Sequence, residues 1–424
     1  MQLRECPRLS PFRSRNSLVL RCFVWTGGKG MNSLVMVHPN PARIDGDMLT
    51  VDRKFHSGML AYAEKIKAPL VTIHPQANGA AVLDPVTVPL GDLPYDIRTT
   101  QFRRDWQPTA EAVDAIRREV ERARLVYTYG HGMGVPPIAR DRGVPYVLTV
   151  EYDLKTEITA TAMQVKNPLR RAVRAARTVW HYNAVTLPAM RGAHSLHCSG
   201  FPIFDVARRE GLKSLLYLDS RMSADMMMSH DGVYRRLSKH RGYALKLLYS
   251  GRYEPLEGAL DAVQVAASCL KQGIDVEMHC YGRGSLAPQM RQIASRYGGS
   301  RIVIHDAVPY RELVQIARGF DVFVCCRVQS DPSCTYLESM GAGLPIVGYA
   351  NRMWERLRED SGAGFCSPMG KPHLVAKDIG RLAHHAVLAA KSVAALEYAR
   401  SHSHEIEHSK RIEALNQALE EVAT

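Results

Sequence analysis

Short apolar runs alternate with longer amphipathic ones along most of the chain. In the first half, Ser33 to His38, 69–74, Leu125 to Tyr129, Val144 to Val150 and Ser195 to Cys198 are nearly continuous in apolar residues. Strands buried on both faces need that pattern, and the runs are too short for helices. Between them, 56–67, 108–123 and 166–190 carry helical spacing. The second half repeats the scheme, with strands predicted at Leu245 to Tyr249, 275–281, 301–304, Val322 to Cys326 and Ile346 to Val347. Helices are predicted there at 258–272, 286–297, 311–318 and 334–342. Such alternation predicts an α/β fold of two facing, Rossmann-like, doubly wound domains. The boundaries read as an N-terminal domain over 31–222, a linker over 223–243, a C-terminal domain over 244–400 and a final helix within 401–424. That helix is expected to pack back towards the N-terminal domain. Two such sheets leave a cleft at the carboxyl ends of their strands, where ligands bind.

Composition narrows the function classes. The 424 residues are 46% apolar and 23% charged, ordinary for globular domains and against dominant disorder. No apolar run reaches the roughly 18 residues that span a bilayer. Lys plus Arg number 55 against 42 Asp plus Glu, giving +13 and pointing to an anionic partner. Nine cysteines without a CxxC pair suggest neither a disulfide framework nor zinc, and fit a cytoplasmic location. Residues 1–30 hold six bases against Glu5 and precede the clean strand after Met31. We read them as a disordered or mis-started extension, with a basic targeting tail as the alternative.

Chemistry concentrates in three strand-end loops of the second half. Gly251 and Arg252 follow one strand directly, where glycine allows a sharp turn and arginine can fork onto a diphosphate. Gly282, Arg283 and Gly284 follow the next. The third loop, Ser330 to Cys334, turns into a helix beginning near Cys334 or Thr335, with Thr335 and Glu338 at capping-box spacing. Free amides at that helix start would attract an anion.

With Val308-Pro309, Asp321 to Val324 and the run Leu337 to Val347, these residues resemble the retaining glycosyltransferases of family four, or group one, of GT-B fold. The resemblance is strong over 244–385 and only architectural over 31–222. It implies a donor-binding set of Gly251, Arg252, Gly282, Arg283, Gly284, Val308, Arg327, Ser330, Asp331, Ser333, Cys334, Thr335 and Glu338. In it Arg252 holds the diphosphate, the loop Pro332 to Thr335 offers amides to phosphate and sugar, Glu338 grips the ribose, and Val308 meets the base. Three departures stand out. Glu257 occupies the place of a second diphosphate lysine, which leaves Arg327 or Arg283 to supply that charge. Ser330 and Asp331 stand where the family has its first paired glutamate. Glu151 replaces a catalytic-site histidine, with His131 as the nearby alternative. Charge alone predicts that Glu257→Lys tightens diphosphate binding.

The function this implies is hexosyl transfer, with retention, from a nucleotide-sugar to a glycan or lipid-linked acceptor in cell-surface polysaccharide or glycolipid synthesis. No cofactor or metal is expected, the nucleotide-sugar being a substrate. A nucleotide-sugar epimerase or a non-catalytic nucleotide-sugar-binding protein are the alternatives. The basic helix bearing Lys166, Arg170, Arg171, Arg174 and Arg177 could lie on an anionic membrane surface, making the protein peripheral at the inner face. No basic–aromatic module suggests nucleic acid. His404 to His408 fits H-E-x-x-H, but polar flanks predict a solvated helix rather than a zinc site. Asp45-Gly46-Asp47 matches D-x-D and reads as turn chemistry.

Overall fold

The computed structural model describes residues 32–77, 82, 84–103, 107–130, 134–162, 165–239 and 243–423. The proposed extension 1–30 and His131 therefore lie outside the described residues. Two parallel sheets organise the molecule. The N-terminal sheet has seven strands in spatial order Ser214–Tyr217, Ser195–Ser199, Tyr146–Val150, Ala123–Tyr129, Ser33–Val37, Leu70–Pro75 and Asp96–Thr100. The strand Ser33–Val37 pairs in parallel on both sides, Val35 facing Val71 and Val126. The C-terminal sheet has six strands, ordered Ile302–His305, Val276–Tyr281, Leu245–Ser250, Val322–Cys325, Ile346–Tyr349 and Gly364–Ser367. Val322–Cys325 and Ile346–Tyr349 are fully buried, as strands covered by helices on both faces must be.

A small antiparallel sheet, Arg43–Asp45, Met48–Asp52 and Pro85–Pro89, is added beside the N-terminal domain and lies outside the predicted alternation. Gly46 and Asp47 form its hairpin turn, with Gly46 at φ +61°, and Asp45 at the strand end before it pairs with Arg43 at 2.8 Å. The predicted helix 166–190 is present but broken in register. Pro168–His181 passes through a π-turn at Tyr182–Thr186 into Leu187–Arg191.

The predicted linker is largely a helix, His230–Lys239. Val233 and Leu237, one turn apart, are buried in the C-terminal core, so this segment belongs to that domain. Arg236 from the same helix donates to the carbonyls of Ala342 and Gly343, satisfying the end of the helix Thr335–Gly341.

The C-terminal helix His404–Glu421 leaves the second domain and docks on the first. Ile412, Leu415, Ala418 and Leu419 enter the core around Leu34, Tyr62 and Tyr127. Asn416 accepts from the Lys67 amide at 2.9 Å and donates to the Lys65 carbonyl at 3.0 Å. The H-E-x-x-H segment is not the solvated turn its flanks suggested. Glu407 and His408 are buried, and the Glu407 carboxylate accepts from the Leu218 amide, His402 and Lys410. His404 instead meets the Ser220 carbonyl through Nδ1 at 2.9 Å. These polar residues are spent on crossing between domains. Among the described residues no cluster of three or more His, Cys, Asp or Glu is arranged around a metal.

Candidate active site

The strand-end loops of the C-terminal domain meet at a chain of ion pairs. Arg252 donates to Glu257 through Nε at 3.0 Å and Nη2 at 2.6 Å. The other oxygen of Glu257 lies 2.7 Å from Nη2 of Arg327. Arg327 in turn donates from Nη1 to both oxygens of Asp331, at 3.2 and 2.9 Å. Arg252 is largely exposed, whereas Glu257, Arg327 and Asp331 are buried. Arg252 and the start of the turn before Glu338 are thus joined through Glu257 and Arg327. Burial opposes a charged Arg327, but Asp331 and Glu257 outweigh it and hold the guanidinium firmly protonated. With one buried cation shared by two carboxylates, Asp331 is pushed up by burial and by Glu257, against the pull of Arg327.

Arg327 is thus the buried cation beside Glu257. Arg283 is exposed on the neighbouring loop, outside this chain of pairs. Glycine is needed beside it for a different reason. A Cβ on Gly282 would sit 1.9 Å from the Gly251 carbonyl oxygen, so the two loops pack only with hydrogen there. Gly282 thus packs the Arg252 loop.

The turn itself is built from Ser330 to Thr335. Ser330 is buried and accepts from the Arg352 amide at 3.2 Å. Ser333 donates to the Thr335 hydroxyl at 3.0 Å. The capping box is not formed. Cys334 is the N-cap, without a side-chain cap bond, and the Glu338 carboxylate has another partner. It accepts from Nε of Arg221 at 2.7 Å, and Arg221 lies over the Tyr310 ring at 4.2 Å. Tyr310 follows Val308, which is half-buried in the loop after Ile302–His305. Glu338, Arg221 and Tyr310 therefore form one contact series, with Val308 two residues before Tyr310.

The N-terminal domain closes the cleft opposite this turn. Lys54 donates to both oxygens of Asp219 at 2.8 Å. The Cys334 thiol donates to the same carboxylate at 2.9 Å, so this group ties the two domains together. Burial disfavours charge on Asp219, but Lys54 and the Cys334 hydrogen bond hold its carboxyl well below the usual range. Burial and the adjacent Asp219 push the Cys334 thiol up, so this cysteine is a poor nucleophile.

Glu151 directly follows the strand Tyr146–Val150. Its carboxyl is raised, first by the protein enclosing it and then by Asp219 and Asp331, with Lys54 opposing. Glu151 thus lies within electrostatic range of Asp331 of the other domain. Tyr152 joins them, its hydroxyl pushed up to about 12 by burial and by Glu151 and Asp331. Asp153, two residues on, holds Arg352 in a fork with both distances 2.7 Å.

Lys54, Asp219, Arg221, Asp153 and Arg352 carry no motif that sequence reading could have isolated. Each gains meaning only through partners more than a hundred residues away.

Two facing doubly wound domains, with cationic strand-end loops on the second, define the GT-B class of architecture. The solved structures most like it in fold include Anabaena Alr3699/HepE in complex with UDP and glucose (13% identity, TM-score 0.59, 92% of this chain and 99% of HepE). Sucrose-phosphate synthase from Thermosynechococcus elongatus is similar at 13% identity and TM-score 0.60, over 92% of this chain and 99% of the synthase. WaaG, a glycosyltransferase involved in lipopolysaccharide biosynthesis, is similar at 12% identity and TM-score 0.57, over 90% and 99% of the two chains. Residues 244–385 match the family model of glycosyl transferases group 1. A comparison with curated protein sequences finds no match.

Proposed function

We propose that the protein transfers a hexosyl group, with retention, from a nucleoside diphosphate sugar to a glycan or lipid-linked acceptor. The observation that carries this reading is the Arg252–Glu257–Arg327–Asp331 chain at the mouth of the turn Pro332 to Thr335. A diphosphate entering there would draw Arg252 off Glu257, while Arg327 stays fixed by its buried partners. In the reaction, an acceptor hydroxyl oxygen forms a bond to the anomeric carbon as the bond from that carbon to the diphosphate oxygen breaks. The electron pair leaves with the diphosphate, whose charge the two guanidiniums would stabilise, and the acceptor hydroxyl's proton passes to the departing diphosphate oxygen. Glu338 with Arg221, and Val308 with Tyr310, are proposed to hold ribose and base. The solved structures of HepE with UDP and with UDP-glucose support a uridine donor.

The exposed face of the helix Pro168–His181 supports an acceptor presented at a membrane. Leu169, Val173 and Trp180 are exposed there beside Arg170, Arg171, Arg174 and Arg177. No helix among the described residues is long and apolar enough to cross a membrane. Cell-surface polysaccharide or glycolipid synthesis at the inner face of a membrane follows as the proposed setting.

Titrating nucleoside diphosphates and their sugars by calorimetry tests the donor. Arg252→Ala should weaken diphosphate affinity about tenfold or more, in line with about 1.5–3 kcal/mol for a hydrogen bond to a charged group. Unchanged affinity would remove Arg252 from the donor site. Glu151→Gln, assayed for sugar transfer, should lower kcat at least a hundredfold while leaving diphosphate affinity within about twofold. Loss of affinity instead, with kcat intact, would place Glu151 outside the reacting centre. Diphosphate binding without turnover of any nucleotide sugar would favour a non-catalytic protein, as the Arg252–Glu257 pairing allows.

A further inference from the structure

A second cationic site lies on the flank of the cleft. The helix Phe201–Arg209 of the N-terminal domain and the helix Arg352–Ser361 of the C-terminal domain face each other across a pocket of about 620 Å³. It is lined by Asp205, Arg208, Arg209, Arg352 and Arg356. Four guanidiniums thus share one hollow with a single lining carboxylate. Arg352 is held from behind by Asp153, and its buried Nε has no partner. Arg356 rests on the Phe201 ring at 5.3 Å and Arg208 on the Phe204 ring at 6.0 Å, so aromatic faces rather than acids support them. Arg209 donates to the Asp205 backbone carbonyl at 3.2 Å.

Like charges gathered this way repel unless an anion joins them. Arg252 and Arg327 do not line this pocket, which is distinct from the donor loops. Gly200, at φ +88° just before the helix Phe201–Arg209, packs against Met353 and Pro332. Yet Arg352 couples the two places. The Arg352 amide binds Ser330, next to Asp331, and the Arg352 guanidinium binds Asp153, two residues from Glu151.

We propose that this pocket seats a phosphate or diphosphate group on the acceptor side of the cleft. Guanidinium forks match phosphate oxygens, and a volume of about 620 Å³ admits a diphosphate with part of the group it bears. Its neighbourhood favours an acceptor arriving from a lipid surface. Tyr182, where the basic helix Pro168–His181 ends, lies within electrostatic range of both Arg209 and Asp153. The assignment of the anion to the acceptor rests on the transferase reading; the anion site itself does not.

Calorimetry with inorganic pyrophosphate on the full chain separates the two. In an Arg252→Ala background, pyrophosphate should still bind, and adding Arg208→Ala with Arg356→Ala should weaken it at least tenfold. Both arginines are exposed, and an unchanged thermal melt of the variant checks the fold. Arg208→Lys with Arg356→Lys should restore part of the affinity. Flotation with vesicles containing phosphatidic acid gives the second arm. A loss of vesicle binding in the double alanine variant assigns the group to a lipid, and retained vesicle binding assigns it to a soluble phosphate. Pyrophosphate affinity unchanged by the double alanine substitution would overturn the proposal. Pyrophosphate binding here in a protein that binds no nucleotide would leave the pocket standing and defeat the transferase reading alone.

Discussion

Replacing Arg327 with alanine is expected to abolish diphosphate binding and to destabilise the fold by roughly 3–5 kcal/mol, the cost of leaving buried charge without its partner. Arg327 is the one buried cation between Glu257 and Asp331, at 2.7 and 2.9 Å. Without it, two buried carboxylates face each other with only the exposed Arg252 nearby. Either one takes up a proton or the turn opens to admit water, and both outcomes spoil an anion site. Chemical denaturation and calorimetry on the same preparation read the two effects. A second variant keeps them apart. Arg327→Met combined with Glu257→Leu and Asp331→Leu replaces the buried charges by apolar groups of similar bulk, which should recover most of the stability. It should not recover binding, because no fixed cation remains beside Arg252. Were Arg327→Ala to bind diphosphate normally, the second cation would have to be sought elsewhere. The same geometry alters the expectation for Glu257→Lys. That exchange places a third cation beside Arg252 and Arg327 and removes the acid they share, so any tighter diphosphate binding would come with a weaker apo fold.

The parts of this site that were legible in the sequence are those fixed by local rules. Strands buried on both faces announce themselves by unbroken apolar runs, as Val322–Cys325 does, and the loop that follows each can be placed by counting. Arg252 and the turn from Ser330 to Thr335 were found that way. Strands at the sheet margin were not. Asp96–Thr100 alternates exposed and buried positions over only five residues, and Pro85–Pro89 has proline at both ends. Short helices that begin at glycine or follow proline, such as Val135–Asp141 and Phe201–Arg209, were also missed, because punctuation residues read as loops. The capping-box reading of Thr335 and Glu338 failed for a tertiary reason: Arg221, 117 residues away, binds the carboxylate more strongly than a backbone amide would. Polar residues near the C-terminus misled in the same manner. Ser403, Glu407 and Arg411 look solvated in a window of sequence, yet all three are buried where the last helix crosses between domains.

That crossing is expected to make the protein acid-labile well above the range in which carboxylates titrate. Four histidines are buried around it: His38 just after the strand Ser33–Val37, His74, His197 and, from the last helix, His408. The His38 and His74 rings stack at 5.4 Å, and His197 shares the Tyr127 hydroxyl at 3.3 Å. Arg411, fully enclosed, reaches Tyr129 at 3.4 Å and lies over Tyr217 at 4.6 Å, so the nearest groups to this cation are tyrosines and histidines. Burial lowers His74 to about 4. Burial and then Arg411 lower His197 to about 3 and His408 to about 2. Burial, His74 and Arg411 hold His38 well below its ordinary value.

All four are bases whose folded values lie beneath the ordinary 6.5. Their neutral forms are therefore fully compatible with the fold above about pH 6.5, and stability is lost as pH falls from there towards about 4. At pH 5 each protonation withheld by the fold costs roughly 2 kcal/mol, so three or four together rival the roughly 5–15 kcal/mol that holds a typical protein folded. Thermal melts across pH 7.5 to 4.5 should show the fall beginning near 6.5, where Asp and Glu are still ionised. Arg411→Met removes one cause of the lowered histidine values and a buried cation at once. It should shift the acid midpoint downward while leaving donor affinity untouched, since Arg411 stands behind the Asp219 side of the cleft rather than at Arg252. A melting temperature that stays level between pH 7.5 and 5 would mean that water or a neighbouring acid already accommodates the protons, and that the last helix is held by its apolar stripe alone.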